Sequence, residues 1–259
     1  MRFAAKKKHE GLRLTRFVSR LHWLFPNRVH RLELIQTLAD ALAARRYLEI
    51  GVRDGRTICA LHIAERVGVD PIPPSDTVLS QLRTGSISYY QMASDDFFRH
   101  VSRPEDAFDL VFIDGLHTYR QSLEDATNAL TRLSPRGIIL LHDCSPSTAA
   151  RATPATSLDQ LKKNPPSGWD GYWNGDVWKT VLYFRASRRD LGCYTLETDH
   201  GIGILAGWLP HEGVPIDPRQ IDTLTFADLE RHRKAFLGLR RPWWILRQLS
   251  RPGTAQHDR

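Results

Sequence analysis

The chain has 259 residues, 41% of them hydrophobic and 25% charged, with 17 glycines and 15 prolines. That is the length of one large domain or two small ones and an ordinary globular composition, which excludes collagen-like, disulfide-scaffold and wholly disordered chains. The net charge of +7 is unevenly placed: residues 1–46 hold 11 Lys/Arg against 3 Asp/Glu, residues 231–259 hold 8 against 1, and residues 47–230 hold 17 against 25.

The two ends are therefore basic and the central body acidic. An enzyme of nucleic acids more often gathers positive charge around its cleft to neutralise phosphates, so a nucleic-acid substrate is not expected. The basic ends read either as solvated tails or as a surface for anionic membranes or another acidic partner. Three widely spaced cysteines, Cys59, Cys144 and Cys193, fit no zinc pattern and point to a reducing compartment. No apolar run approaches the roughly 20 residues needed to span a bilayer, and no apolar stretch follows the basic Met1–Glu10 as a signal peptide would require. A cytoplasmic location is expected, with peripheral membrane contact as the other reading of the ends.

Residues 1–46 are expected to form a basic, helical N-terminal extension, in which Leu14, Phe17, Leu21 and Trp23 alternate with Arg13, Arg16 and Arg20. From Tyr47 onward, short apolar runs alternate with helix-like segments. The pattern predicts strands at Tyr47–Ile50, Arg66–Val69, Ser86–Gln91, Asp109–Ile113 and Arg136–Leu141, and helices at Thr57–Ala64 and Tyr119–Leu133. Repeated strand–helix units with wholly apolar strands imply an α/β, Rossmann-like, mostly parallel sheet with helices on both faces. Residues 144–176, rich in Pro and Gly and holding Trp169, Tyr172 and Trp173, read as a lid loop inserted in a domain spanning 47–230. A helix at Asp176–Ala186 follows, then strands at Cys193–Glu197 and Gly201–Ala206, which can pair antiparallel as the last strands. Beyond Phe226 a helical tail is predicted to about Gln248. Its part within 231–259 is basic and amphipathic, with Trp243 and Trp244 between Arg240, Arg241 and Arg247.

Parallel sheets bind ligands beyond the carboxyl ends of their strands, so the polar residues there carry the functional reading. The first strand ends in Glu49-Ile-Gly51-Val-Arg-Asp-Gly55, a turn whose glycines permit close backbone approach. It is not the dinucleotide G-x-G-x-x-G, because position 53 is Arg. Asp70 ends the second strand, where a carboxylate can accept both hydroxyls of a ribose. Ser94-Asp95-Asp96 reads as a helix start with an acidic first turn. Asp114 ends the fourth strand, with His117 three residues on, and His142-Asp143 ends the next. Neighbouring strand ends lie about 5 Å apart, so Asp114, His142 and Asp143 are expected to converge and are suited to a divalent cation. No nucleophile turn for a hydrolase and no phosphate-binding Gly-Lys-Ser/Thr is present.

From Tyr47 to Ala206 these motifs resemble the class I S-adenosylmethionine-dependent methyltransferases, whose first motif is an acidic residue, x, Gly, x, x, x, Gly. The resemblance implies that Glu49, Gly51, Gly55 and Thr57 line the methionine part of the cofactor. By the same likeness Asp70 holds the ribose, Ser94 and Asp95 flank the adenine, and Asp114 lies beside the sulfonium. Asp114-Gly-Leu-His117-Thr-Tyr119 with His142-Asp143 is similar to a subgroup of metal-dependent O-methyltransferases common among enzymes modifying sugars and natural products. In that likeness His117 falls at the general base, where catechol-type relatives have Lys. Asp114, His142 and Asp143 fall at the metal site, Mg²⁺ being the favoured ion. The function implied is methyl transfer to a hydroxyl of a small molecule or sugar. A catalytically silent nucleoside- or partner-binding domain, and a nucleic-acid methyltransferase, are the competing readings.

Overall fold

The computed structural model of the chain describes residues 21–25, 27–103 and 105–250. Leu14 and Phe17 of the predicted N-terminal stripe lie outside these residues, as does the tail beyond Ser250, whereas Trp23 is buried. Eight strands form one sheet: β1 (Arg46–Ile50), β2 (Glu65–Val69), β3 (Ile87–Tyr90), β4 (Phe108–Ile113), β5 (Leu133–Leu141), β6 (Gly192–Leu196), β7 (Ile202–Ala206) and β8 (Leu239–Arg240). Their order is β3-β2-β1-β4-β5-β7-β6-β8. Every pairing is parallel except those of β7, which runs antiparallel to both β5 and β6. The Rossmann-like expectation holds, and the short β8 extends the edge beyond it.

Strand side chains alternate between two cores, one on each face. Leu110, Phe112, Ile138, Leu140 and Ile204 join α1 (Arg31–Leu42), α2 (Asp76–Leu82) and α8 (Trp243–Leu249) on one side. Val111, Ile113, Ile139, Leu141 and Leu205 join α4 (Tyr119–Leu130), α6 (Trp178–Ser187) and α7 (Phe226–Leu237) on the other, with the short α3 (Ser94–Asp96) beside α4. Burial on both faces is what makes β4 and β5 almost unbroken apolar runs. The chain order reverses between β1 and β4, so a crevice opens at their carboxyl ends.

Helix α1 belongs to the body of the domain. Leu34, Ile35 and Leu38 are fully buried, and Arg31 precedes them at i, i+3, i+4, i+7 spacing, so it shares their face. Twelve helical residues rise about 18 Å and five strand residues about 16 Å. Since α1 leads into the start of β1, Arg31 returns to the carboxyl edge of the sheet.

Three stretches differ from the sequence reading. Thr57–Ala64 forms turns rather than a helix, and the buried Arg66 guanidinium supplies hydrogen bonds to the carbonyls of Ile58 (3.0 Å) and Leu61 (2.8 Å). Residues 144–176 contain a short helix, α5 (Leu158–Lys163), and bury Ala150, Ala152, Ala155 and Leu161. The tail is not one helix: Gly238 ends α7 in the left-handed region, β8 pairs with β6, and α8 follows Pro242. Its apolar side lies on the domain, with Phe236 stacked on Trp178, Trp244 against Tyr194, and Ile245 fully buried. Among the described residues no helix is long and apolar enough to cross a membrane.

Candidate active site

On the β1–β2–β3 side, the expected cofactor residues are held mainly by backbone. Gly51 (φ +87°) packs so closely on β4 that a Cβ would lie 2.2 Å from the Asp114 carbonyl oxygen. The glycine thus lets the two strand ends touch. Gly55 (φ +80°) turns against the Val78 side chain, and Thr57 is half-buried in the turns behind it. Asp70 is buried, accepting the Arg53 N–H at Oδ2 (2.8 Å) and the Ile72 N–H at Oδ1 (2.9 Å). Each oxygen keeps a second lone pair for a diol. Buried Glu49 accepts from the Tyr47 hydroxyl at 2.7 Å. Burial, with Asp114 nearby, pushes its carboxyl up to about 8 against the pull of that hydrogen bond. Ser94 and Asp95 are tied together by Gln121, and Ser94 Oγ donates to buried Asp125 at 2.6 Å.

On the β4–β5–β7 side the site is made of charged side chains. His142 Nδ1 lies 3.1 Å from both Asp114 Oδ1 and Asp143 Oδ2. His117 Nδ1 lies 2.8 Å from the Trp173 carbonyl and 3.2 Å from Asp143 Oδ2, and its Nε2 is 3.6 Å from Asp114 Oδ1. A carbonyl only accepts, so Nδ1 carries a hydrogen and Nε2 is the nitrogen free to take a proton. Burial alone would raise Asp114 and lower both imidazoles. Their mutual attraction wins, holding Asp114 below the carboxylate range and both histidines above their usual value. Arg31 completes the cluster, donating to Asp114 Oδ2 at 2.7 Å and, through its backbone N–H and Nε, to Asp199 Oδ2 at 2.8 and 3.1 Å. Asp199 Oδ1 is 3.5 Å from His142 Nε2.

Two loops close over these groups. Asp143, Asp199, His200 and Gly201 all have positive φ (+61°, +43°, +64° and +86°), a concentration of left-handed residues typical of functional turns. In the other loop Gly175 (φ +62°) crosses His117 so tightly that a Cβ would meet its carbonyl oxygen at 1.7 Å. That crossing stacks Trp173 on the His117 ring at 5.0 Å and lets Asn174 Nδ2 donate to Asp143 Oδ1 at 2.7 Å. Asp176 Oδ1 accepts the Tyr119 N–H at 2.6 Å, the first of α4.

The ligand atoms of Asp114, His117 and Asp143 all lie within 4.8 Å of one another. Two carboxylates and an imidazole in that space fit a divalent cation, and the His142 ring borders it. Beyond Asp199 and His200 a cavity of ≈ 790 Å³ opens, on the side of the cluster away from β2 and β3.

Residues 48–144 match a family described as "Methyltransferase domain". That stretch is similar to a methyltransferase domain. No curated protein sequence matches it. Among solved structures, TomG O-methyltransferase of Streptomyces achromogenes, in complex with SAM, is 19% identical (TM-score 0.45), covering 68% of this chain and 77% of TomG. The SAH-bound methyltransferase PaMTH1 of Podospora anserina is 17% identical (TM-score 0.47; 76% and 95% covered). An O-methyltransferase of Bacillus cereus in complex with SAH is 14% identical (TM-score 0.44; 76% and 87% covered). The fold itself rests on the strand order above. The matched stretch supplies Asp114, His117, His142 and Asp143; Arg31, Asn174 and Asp199 come from outside it and were given no role by the sequence reading. Arg31 carried one signal, its place on the apolar stripe of α1 at the height of the strand ends.

Proposed function

We propose that the chain is an S-adenosylmethionine-dependent O-methyltransferase acting on a hydroxyl of a small molecule or sugar. One observation carries this: the glycine turn of β1 is in backbone contact with Asp114, so the cofactor side and the proton-accepting cluster adjoin. S-adenosylmethionine would supply an activated methyl on a sulfonium. Asp70 binds a diol with its remaining lone pairs, and Glu49, raised by burial, ionises when an ammonium arrives beside it. His117 Nε2 accepts the hydroxyl proton as general base, while the Trp173 carbonyl fixes its tautomer. Asp114 and Asp143 then stabilise the imidazolium. A divalent metal, Mg²⁺ or Mn²⁺, would be held by Asp114, His142 and Asp143, and would lower the pKa of the acceptor hydroxyl. His142, Asp199 and Arg31 fix the two carboxylates in place. The acidic body favours a small acceptor over nucleic acid.

Calorimetry with S-adenosylhomocysteine tests the reading. One molecule should bind per chain, and Asp70→Ala should weaken binding without unfolding the protein. No heat and no thermal shift at millimolar ligand would remove the proposal. Loss of methyl transfer on chelation, restored by Mg²⁺ or Mn²⁺, is the expected sign of the metal.

A further inference from the structure

The cavity beyond Asp199 and His200 has walls that the methyl-transfer chemistry does not use. Two of its lining residues are arginines from distant parts of the chain, Arg28 before α1 and Arg233 on α7. Arg233 donates to Ser145 Oγ at 3.0 Å and to the Pro146 carbonyl at 2.8 Å, both neutral acceptors. Arg28 is exposed and has no hydrogen bond or ion pair among the described residues. Neither guanidinium has a carboxylate within 4 Å there.

The other charges on these walls are largely balanced. Arg151 is held by Asp170, whose oxygens accept from its Nε at 3.1 and 3.0 Å. Glu197 pairs with Arg241 at 3.4 Å, and Asp199 with Arg31. The exposed Glu230 is the one carboxylate left against Arg28 and Arg233, so two guanidiniums without a carboxylate partner face a single acidic side chain. A half-buried guanidinium anchored through two of its N–H groups presents the rest of its fork in a fixed direction, which suits a planar or tetrahedral oxyanion. The hydroxyl-bearing Ser145 and Ser147 lie on the same wall.

We propose that this cavity receives the anionic group, a phosphate or a carboxylate, of a hydroxylated methyl acceptor, gripped by Arg233 and Arg28. The inference rests on the methyltransferase reading above, which makes the Asp199–His200 wall the acceptor side. It narrows the acceptor to hydroxylated molecules with an oxyanion beyond the methylated position.

Calorimetry in low-salt buffer, with inorganic pyrophosphate in one arm and citrate in the other, tests it on the full chain. S-adenosylhomocysteine is titrated in parallel. Pyrophosphate or citrate should bind the wild type, and the stronger of the two tells which oxyanion the cavity favours. Arg28→Gln, which breaks no internal bond, should weaken that binding about tenfold, the scale of one charge-assisted hydrogen bond. Arg233→Gln should weaken it at least as much. Both variants should bind S-adenosylhomocysteine like the wild type. Failure of both anions to bind, or binding that neither substitution changes, overturns the anionic-acceptor inference while cofactor binding leaves the enzyme reading intact. Loss of S-adenosylhomocysteine binding in the wild type would instead overturn the reading beneath it.

Discussion

The two halves of the crevice are built differently. Beside β1, β2 and β3, position is set by backbone: Gly51 in contact with the end of β4, and Asp70 pinned by two amide N–H groups. Beside β4, β5 and β7, it is set by side chains that hold one another, Arg31, Asp114, His117, His142, Asp143 and Asp199. A backbone cradle recognises a ligand mainly through shape. A network of opposed charges can move protons, but each member depends on the others for its orientation.

Substitutions at the two halves should therefore separate binding from chemistry. The largest effect is expected at His117: His117→Ala should lower turnover by about 10²–10⁴-fold while S-adenosylhomocysteine affinity stays unchanged. Asp70→Ala should do the reverse, raising the cofactor dissociation constant with little effect on the pH profile of turnover. Parallel losses of both properties in either variant would erase the distinction. Next in size is Gly175→Ala. A Cβ there meets the His117 carbonyl and holds a left-handed residue under strain, so destabilisation of about 2–4 kcal/mol is expected, read by urea unfolding.

Behind the cofactor half, Asp125 offers a pH test. Burial pushes its carboxyl up to about 6 in the folded protein, above the unfolded value near 4. Its contribution is fully present below about pH 4 and is lost as pH rises through about 6. Asp125→Asn, which still accepts from Ser94, should remove up to about 3 kcal/mol of that decline between about pH 4 and pH 7, by the usual conversion. Matching pH dependences of urea midpoints in variant and wild type would refute it. The smallest effect is expected at Arg31, where Arg31→Met leaves Asp114 and Asp199 without their guanidinium. A cost of about 1–3 kcal/mol in stability is expected, together with a shifted pH optimum of turnover. An unmoved optimum would reduce Arg31 to a structural brace.

The cofactor half was legible because its elements are local. Glu49, Gly51, Gly55 and Asp70 end strands whose apolar runs announce themselves, and the cofactor roles expected of them come from the motif's resemblance. Asp114, His117, His142 and Asp143 were legible for the same reason, as residues at the ends of adjacent parallel strands. Their arrangement was not. The Trp173 carbonyl that sets the His117 tautomer lies 56 residues away in sequence, and the Arg31–Asp199 contact spans 168 residues. Contacts of that separation leave no local pattern. At Thr57–Ala64, predicted as a helix, Arg66 of the next strand likewise donates to two carbonyls of the turns that form there. Nor could the tail's amphipathic stripe say whether it meets lipid or Tyr194 and Trp178; the structure places Trp244 and Phe236 against those two rings.

The Arg31–Asp199 link also bears on how the protein is made. Domains emerge from the ribosome N-terminus first, and contacts between distant segments form late because their loops must close first. A nascent chain that has released β1 and β2 can already shape the glycine turn. It has neither Asp114 nor Asp199, so its Arg31 has no carboxylate to bridge. Completion of the β6–β7 hairpin is therefore the step that closes the charge network, so chains cut short before that hairpin would lack Asp199 and its bridge from Arg31 to His142.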